Sequence, residues 1–233
     1  NLKEASEKIR LQFGEKQAAF VSKEALSENK KVLIDTDFVH LHNHTQFSVL
    51  QSTISVPALV KAASQQKMPA VAMTDHANLM GAFHFVRDIL YHNKAAEAKN
   101  KEAIEKGEEP TEVPMKPIVG CEFFVCEDHK NKSVKDNGYQ IVLLAKTKKG
   151  YHNLAKMSSI GYTEGFYYVP RIDRKVIQQY KEDIIVLSGN LNGEIPSKIL
   201  NLGENQAEEA LLWWKQEFGS DFYIAVMRHN QED

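Results

Sequence analysis

After residue 38, the alternation of apolar and polar stretches has the rhythm of an α/β protein. Short apolar runs rich in β-branched and aromatic residues predict six strands: FVHLH, AVAMT, PIVGCEFFV, YQIVLLA, DIIVLSG and FYIAVM. Segments with apolar residues at helical spacing fill most of the gaps and predict helices: VPALVKAASQQK, LMGAFHFVRDILYHN, GYHNLAKMSSIGY, EIPSKILNLG and AEEALLWWKQEFG, the last ending at Gly219. Strands that alternate with helices indicate an α/β sheet or barrel.

Two stretches break this rhythm. The loop CEDHKNKSVKDNG, between CEFFV and YQIVLLA, is too hydrophilic for a packed helix, so these two strands are predicted to form a hairpin. The stretch 94–116, KAAEAKNKEAIEKGEEPTEVPMK, is highly charged and closes with prolines. It predicts a solvated insertion that need not be ordered.

Residues 1–37 have a different pattern. NLKEASEKIRLQFG predicts a helix that stops at Gly14, and VSKEALSENKK predicts a second helical piece and a linker. We therefore expect a helical N-terminal segment of unknown role over 1–37 and one larger domain over 38–233. The chain starts at Asn1 and stops at Asp233 in MRHNQED, and both ends look cut from a longer protein.

Composition narrows the class of protein. The 233 residues are 42% hydrophobic and 26% charged, which suits a globular chain with one large core or two modest ones. The net charge of -2 argues against a chain that binds polyanions as a whole. The two cysteines, Cys121 and Cys126, lie in an apolar run, so neither a disulfide framework nor zinc-finger spacing is present and a reducing cytoplasm is expected. Neither a signal peptide nor a membrane-length apolar run is evident, so no membrane partner is expected.

Candidate chemistry begins at FVHLHNHT. Period two places His40, His42 and His44 on one face of an extended chain, and neutral imidazoles at such spacing can hold a divalent ion. The alternative is three unrelated polar residues on an exposed strand. Of the three, His40 lies deepest in the predicted strand and is the best candidate for a structural role.

Two further positions lie at strand ends or inside strands. Asp75 and His76 follow the AVAM strand, where a ligand and its orienting partner belong in a βα barrel, although Asp75 could instead cap a helix. Glu122 interrupts the apolar run PIVGCEFFVC. A buried carboxylate there needs a partner or a metal, whereas an exposed one needs neither. Jointly these positions indicate a metal-dependent phosphoesterase site.

Several segments together carry a family resemblance. FVHLHNHTQFSVLQ, MPAVAMTDHANLMGAFHF, KPIVGCEFFV, LLAKTKKGYHNLAKM, YVPRIDRKVIQQY and LLWWKQEFGSDFYI resemble, in order, the PHP domain (polymerase and histidinol phosphatase) of the bacterial DNA polymerase III alpha subunit. The style of the insertion suggests a Bacteroidetes-like version. The resemblance implies a distorted (β/α)7 barrel, truncated here before its last strands, whose intact members bind three metal ions.

The resemblance also assigns roles to individual positions. The ligand types are retained at His42, His44, His76 and Glu122, with Asp75 behind them. Three other ligand positions carry neutral amides, namely Gln51, Gln140 and Asn190. A final Asp-x-His-type pair would lie beyond Asp233. Amide oxygens are poor ligands for zinc or manganese, and these amides could hydrogen-bond to one another and to the histidines.

This pattern predicts a degenerate site. We expect at most one weakly held divalent ion, zinc or manganese, and no catalysis by this chain. The parent protein would be a magnesium-dependent DNA polymerase, and this part of it a scaffold. Its partners would be the rest of the alpha subunit, DNA through the parent, and a proofreading exonuclease or other replisome subunits. The alternatives are an active metal-dependent 3′–5′ exonuclease or phosphoesterase, or a free-standing enzyme of the histidinol-phosphatase type.

Overall fold

The structure, a computed structural model, describes residues 37–227. The chain divides into two compact units, Asn1–Phe38 and Val39–Asp233. The helices expected in the first 37 residues lie outside the described part. Within 37–227 no helix is long and apolar enough to cross a membrane.

Helices and strands alternate through most of the second unit. The helices are α1 (Val56–Gln65), α2 (Ala82–Glu105), α3 (Lys148–Thr163), α4 (Arg174–Tyr180), α5 (Glu194–Asn201) and α6 (Glu204–Phe218), followed by a 3-10 turn at Gly219–Asp221. The strands are β1 (Ala70–Met73), β2 (Lys116–Cys126), β3 (Tyr139–Ala145), β4 (Arg171–Asp173), β5 (Ile184–Leu187) and β6 (Phe222–Tyr223).

These strands form one mixed sheet in the order β1-β2-β3-β5-β6, with β4 paired to β2. The long strand β2 is its centre. Its first half runs parallel to β1, its last residues run parallel to β4, and its other edge is antiparallel to β3. The β2–β3 pair confirms the predicted hairpin. The α/β class is confirmed, and the seven-stranded count of the barrel stays a prediction.

The two faces of the sheet have different environments. Phe123, Ile141 and Leu143 belong to the largest apolar cluster, which also contains Leu154 of α3 and Trp214 of α6. The opposite face holds a smaller apolar cluster of Ala72, Val142, Leu144 and Leu187. Directly paired residues share a face, so the Glu122–Val142 pair places Glu122 on the face with the smaller cluster.

The prediction of a strand at FVHLH is wrong. Residues 37–45 have no regular secondary structure, although Ala72 N–H donates to the His40 carbonyl and Thr74 N–H donates to the Asn43 carbonyl. The Asn43 side chain takes a backbone role beside β1, since its amide donates to the carbonyls of His40 and Ala72. The segment therefore runs beside β1 without forming a regular ladder.

The charged stretch 94–116 is also more ordered than expected. Helix α2 continues through it to Glu105, and the returning chain is bonded back to the helix. Asn93 exchanges two hydrogen bonds with the backbone of Met115, and Asn100 does the same with Glu112. Two elements escaped the pattern analysis, namely strand β4 and helix α4, because both are short.

Candidate metal centre

The centre of the site is Glu122, a fully buried carboxylate in the middle of β2. Its backbone is fixed by residues 75–77, because Glu122 N–H donates to the Asp75 carbonyl and Ala77 N–H donates to the Glu122 carbonyl. His76 is thereby placed directly beside Glu122. Ala77 adopts a φ of 52°, a left-handed conformation that costs a non-glycine residue roughly 1–2 kcal/mol. The local backbone is therefore held in an unfavourable shape that aligns His76 with Glu122.

Asn43 sets the direction of the two histidines that flank it. Its N–H donates to Thr74 Oγ1, and that hydroxyl donates back to the Asn43 carbonyl. Because Asn43 is tied to the end of β1, its neighbours in an extended chain project to the other side. His42 and His44 thus both reach Glu122.

Three imidazoles converge on the one carboxylate. His42 Nε2 lies 3.3 Å from Glu122 Oε1, His44 Nε2 lies 2.8 Å from Oε2, and His76 Nδ1 lies 3.1 Å from Oε2. The rings of His42 and His44 are 5.2 Å apart, and those of His44 and His76 are 4.1 Å apart. Phe124 stacks on His76 at 5.6 Å and closes that side.

Short distances do not make these contacts hydrogen bonds. Both oxygens of Glu122 and the facing nitrogens of His42, His44 and His76 are buried, and none has a partner with hydrogen-bond geometry among the described residues. Buried polar atoms are nearly always satisfied in folded proteins. Imidazole nitrogens and carboxylate oxygens that converge without hydrogen-bond geometry are the arrangement expected around a cation. One donor atom each from His42, His44 and Glu122 lies within 4.8 Å of the others.

The electrostatics agree with a charged carboxylate. Burial would raise the pKa of Glu122, but the adjacent imidazoles of His42 and His44 outweigh it and lower that pKa to about 2. Burial lowers the pKa of His76, with help from its histidine neighbours and against the pull of Glu122. An ionised glutamate and a neutral imidazole are the protonation states that bind metal.

Asp75 supports the site through the loop that follows His44. Its buried carboxylate accepts hydrogen bonds from Thr45 N–H at 2.6 Å, Thr45 Oγ1 at 2.7 Å and Ser48 Oγ at 2.7 Å. Ser48 Oγ in turn accepts from His76 N–H at 3.1 Å. The alternative of a helix cap is wrong, since α2 begins at Ala82 and its N-cap residue is Gly81. Asp75 joins the two histidine-bearing segments.

The three amide positions do not form the expected network. Within residues 37–227, no hydrogen bond joins Gln51, Gln140 and Asn190 to one another or to the histidines. Gln51 is exposed, and Asn190 Oδ1 accepts from the N–H of Asn192 in its own turn. Gln140 pairs with Phe124, so it shares the face of Glu122 but lies two residue pairs further along the ladder. The expectation that amides satisfy the histidines is therefore wrong.

Sequence reasoning missed a second polar cluster at the end of β2. Buried His129 places Nδ1 2.6 Å from Asp173 Oδ2, and Asp173 also caps α4 through Val176 N–H. Arg171 is fully buried and donates to the carbonyls of Gly165, Asp136, His129 and Asn131. His129 and Asp173 are 44 residues apart, so only the β2–β4 pairing brings them together.

With this geometry in place, comparison with known families identifies the class. The family model for the PHP domain matches residues 40–229. The chain therefore belongs to the PHP domain family.

Its curated relatives are more specific. DNA polymerase III subunit alpha of Borreliella burgdorferi is 36% identical over 84% of this chain and 16% of the relative. The subunit of Aquifex aeolicus is 37% identical over 83% of this chain and 16% of its own length, and that of Thermus aquaticus is 38% identical over 82% and 15%. The chain thus spans about one-sixth of the length of these relatives.

Proposed function

We propose that this chain is the PHP domain of a bacterial DNA polymerase III alpha subunit, and that it serves that polymerase as a scaffold. The identity of its relatives supports this assignment, because all three that are described above carry that name. The relatives are about six times longer, so polymerisation belongs to parts outside this chain. Template DNA, deoxynucleoside triphosphates, magnesium and other replisome subunits are partners of that whole protein.

Within this domain, we propose that one divalent ion, zinc or manganese, binds at Glu122. The observation that carries this is the set of buried, unpaired atoms on His42, His44 and Glu122. These residues fit zinc, which takes imidazole nitrogen and carboxylate oxygen in a tetrahedral set. His76 Nδ1, 3.1 Å from Glu122 Oε2, is placed to supply the fourth donor. When bound, such an ion supplies a compensating positive charge and acts as a Lewis acid.

Binding one ion favours a structural role over a hydrolytic one. The resemblance implies three ions in active members, but three of the expected ligand positions are the amides Gln51, Gln140 and Asn190. Among the described residues, the candidate groups are the one at Glu122 and a separate one at His129. The retained residues hold the loops after His44 and Met73 against β2. This arrangement does not favour an active exonuclease or a free-standing phosphatase.

Two assays test the proposal. The complete protein that contains this chain should extend a primed template with deoxynucleoside triphosphates, and should keep that activity when Glu122→Gln is introduced. The isolated chain should release no nucleotide from single-stranded DNA with zinc or manganese present, while either ion raises its melting temperature. If the isolated chain releases nucleotides in a metal-dependent way and Glu122→Gln does not, the domain is a nuclease and the proposed scaffold role is wrong. Failure of the complete protein to extend primers would contradict its assignment as a DNA polymerase.

A further inference from the structure

A second cluster of ligand types lies beyond the end of β2. It consists of Asp128, His129, Glu164 and Asp173, and we call it the His129 cluster. One donor atom each from Asp128, His129 and Asp173 lies within 4.8 Å of the others. Cys126, where β2 ends, is four positions after Glu122, a backbone rise of roughly 13 Å, and the loop that carries Asp128 and His129 follows it. The two sites are therefore separate.

The decisive observation is one unpaired nitrogen. The His129 side chain is 7% exposed, and its Nε2 is buried without a hydrogen-bond partner among the described residues. Its other nitrogen, Nδ1, is held by Asp173 Oδ2 at 2.6 Å. A carboxylate on one imidazole nitrogen fixes the ring and makes the other nitrogen a better metal ligand. The ring is thus oriented, with its free nitrogen directed away from Asp173.

One carboxylate oxygen faces Nε2, and a second carboxylate lies in the same loop as His129. Glu164 Oε2 lies 4.0 Å from it, too far for a hydrogen bond and far enough for both atoms to bind one cation between them. Asp128 adds an exposed carboxylate from the same loop, although its Oδ1 already accepts from Lys130 N–H. Lys130 Nζ lies 3.2 Å from Glu164 Oε2, but this lysine is 68% exposed and can move aside.

The backbone around the cluster is already fixed. The Arg171 guanidinium binds the carbonyls of His129 and Asn131, and Asp173 is anchored as the cap of α4. The proposed ligands thus come from a loop held by Arg171 and from Glu164, the C-cap of α3, while Asp173 at the end of β4 holds the imidazole. Preorganisation of this kind lowers the entropic cost of binding.

We propose that the His129 cluster binds a zinc-like divalent cation through His129 Nε2 and the carboxylates of Glu164 and Asp128, with Asp173 as a positioning residue. One imidazole with carboxylates suits zinc or a related transition metal better than calcium or magnesium. The cation joins the β2–β3 loop to the C-terminal end of α3. This site is independent of the ion proposed at Glu122.

Zinc counting with matched variants tests the proposal. The chain is dialysed against zinc and analysed for bound metal as wild type, His129→Gln, His44→Gln and the double variant. His129→Gln should lose one ion and His44→Gln a different one, so the double variant loses both. Zinc content equal to wild type in a folded His129→Gln would overturn the proposal. If His129→Gln binds less zinc than wild type and His44→Gln binds the same amount, the result would support zinc binding at the His129 cluster. It would contradict only the proposal of an ion at Glu122.

A surface variant guards against misfolding of the His129 variant. Glu164→Gln replaces a half-exposed carboxylate and should weaken zinc binding at this site about tenfold, a loss equivalent to one good ligand contact. Glu182→Gln is the control, because Glu182 is also exposed and also paired with a lysine, Lys149. Cobalt gives the spectroscopic readout, since visible absorption bands of a histidine–carboxylate site should weaken in Glu164→Gln alone. Identical zinc affinity and cobalt spectra in both variants would contradict the proposed ligand set.

Discussion

Two buried glutamates, Glu122 and Glu194, show how differently a protein can treat the same side chain. Glu194, at the start of α5, is 4% exposed and accepts hydrogen bonds from Arg174 at 2.7 Å, Lys198 at 2.7 Å and Trp214 Nε1 at 2.8 Å. The Arg174 guanidinium also lies 4.3 Å from the centre of the Trp213 ring. Each carboxylate oxygen of Glu194 has a donor.

Glu122 has the opposite arrangement. Three imidazoles approach within 3.3 Å, yet within the described part of the chain neither of its oxygens has a hydrogen-bond partner. A satisfied carboxylate stabilises the fold by itself, whereas an unsatisfied one at full burial destabilises it until something binds. Glu194 is thus satisfied within the fold, whereas Glu122 is left as a candidate metal ligand.

The largest expected effect is on Glu194. Glu194→Ala leaves two cations and a buried indole N–H without their acceptor, so the free energy of unfolding should fall by about 3 kcal/mol. Urea denaturation of the isolated chain measures it. Glu204→Ala is the matched control, because Glu204 also opens a helix but is exposed. If both variants lose the same free energy of unfolding, the contacts of Glu194 add no stability beyond that of an acidic residue at the start of a helix.

The next effect concerns Glu122 and depends on metal. Zinc at 100 times its dissociation constant should stabilise the wild type by about 2.7 kcal/mol, and Glu122→Gln should lose that gain. Without metal the variant should be about as stable as wild type, because the amide has the shape of the carboxylate and, among the described residues, Glu122 makes no side-chain hydrogen bond that the amide would lose. Thermal unfolding with and without zinc measures both, with Glu109→Gln as an exposed control. A large loss in the absence of metal would place Glu122 in the same class as Glu194.

Asp75 should give an intermediate result. The Asp75 carboxylate accepts three hydrogen bonds. In Asp75→Asn the amide NH2 group would point at one of these donors, so the free energy of unfolding should fall by about 2 kcal/mol. Ser48→Ala removes one of the three bonds and should cost about half as much. Because Asp75 positions the loop after His44, zinc affinity should fall in parallel with stability. Unchanged zinc affinity in Asp75→Asn would show that this loop does not position the ligands.

The smallest effect lies far from both glutamates. Asn100→Ala removes two hydrogen bonds to Glu112 and should cost about 1 kcal/mol, with faster proteolysis between Gly107 and Met115. Zinc binding should not change. Glu97→Ala, an exposed change on the same helix, is the control. Proteolysis at the wild-type rate in Asn100→Ala would show that other contacts hold residues 107–115 against α2.

Prediction from sequence succeeded where the signal was local. Histidines at period two, a DH pair after a strand and a glutamate inside an apolar run pointed to His42, His44, His76 and Glu122, and the structure brings these four together. The reason they meet was not visible in the pattern. Asn43 tied to β1 and the left-handed turn at Ala77 are tertiary features that no periodicity reports.

The failures also have physical causes. The segment FVHLH has strand composition, but Asn43 replaces part of the backbone ladder with its side chain. Residues 94–105 are charged because they form the exposed surface of a long helix and not because they lack structure. Arg171 and His129 act through partners 6 to 44 residues away, so spacing along the chain could not reveal them.

The most direct test of the account is the metal content of wild type and Glu122→Gln after dialysis against zinc, measured by elemental analysis on protein shown to be folded. The variant should hold one ion fewer than wild type, whatever is bound at the His129 cluster. Equal metal content in the two proteins would contradict it, and the unpaired atoms around Glu122 would then need another explanation.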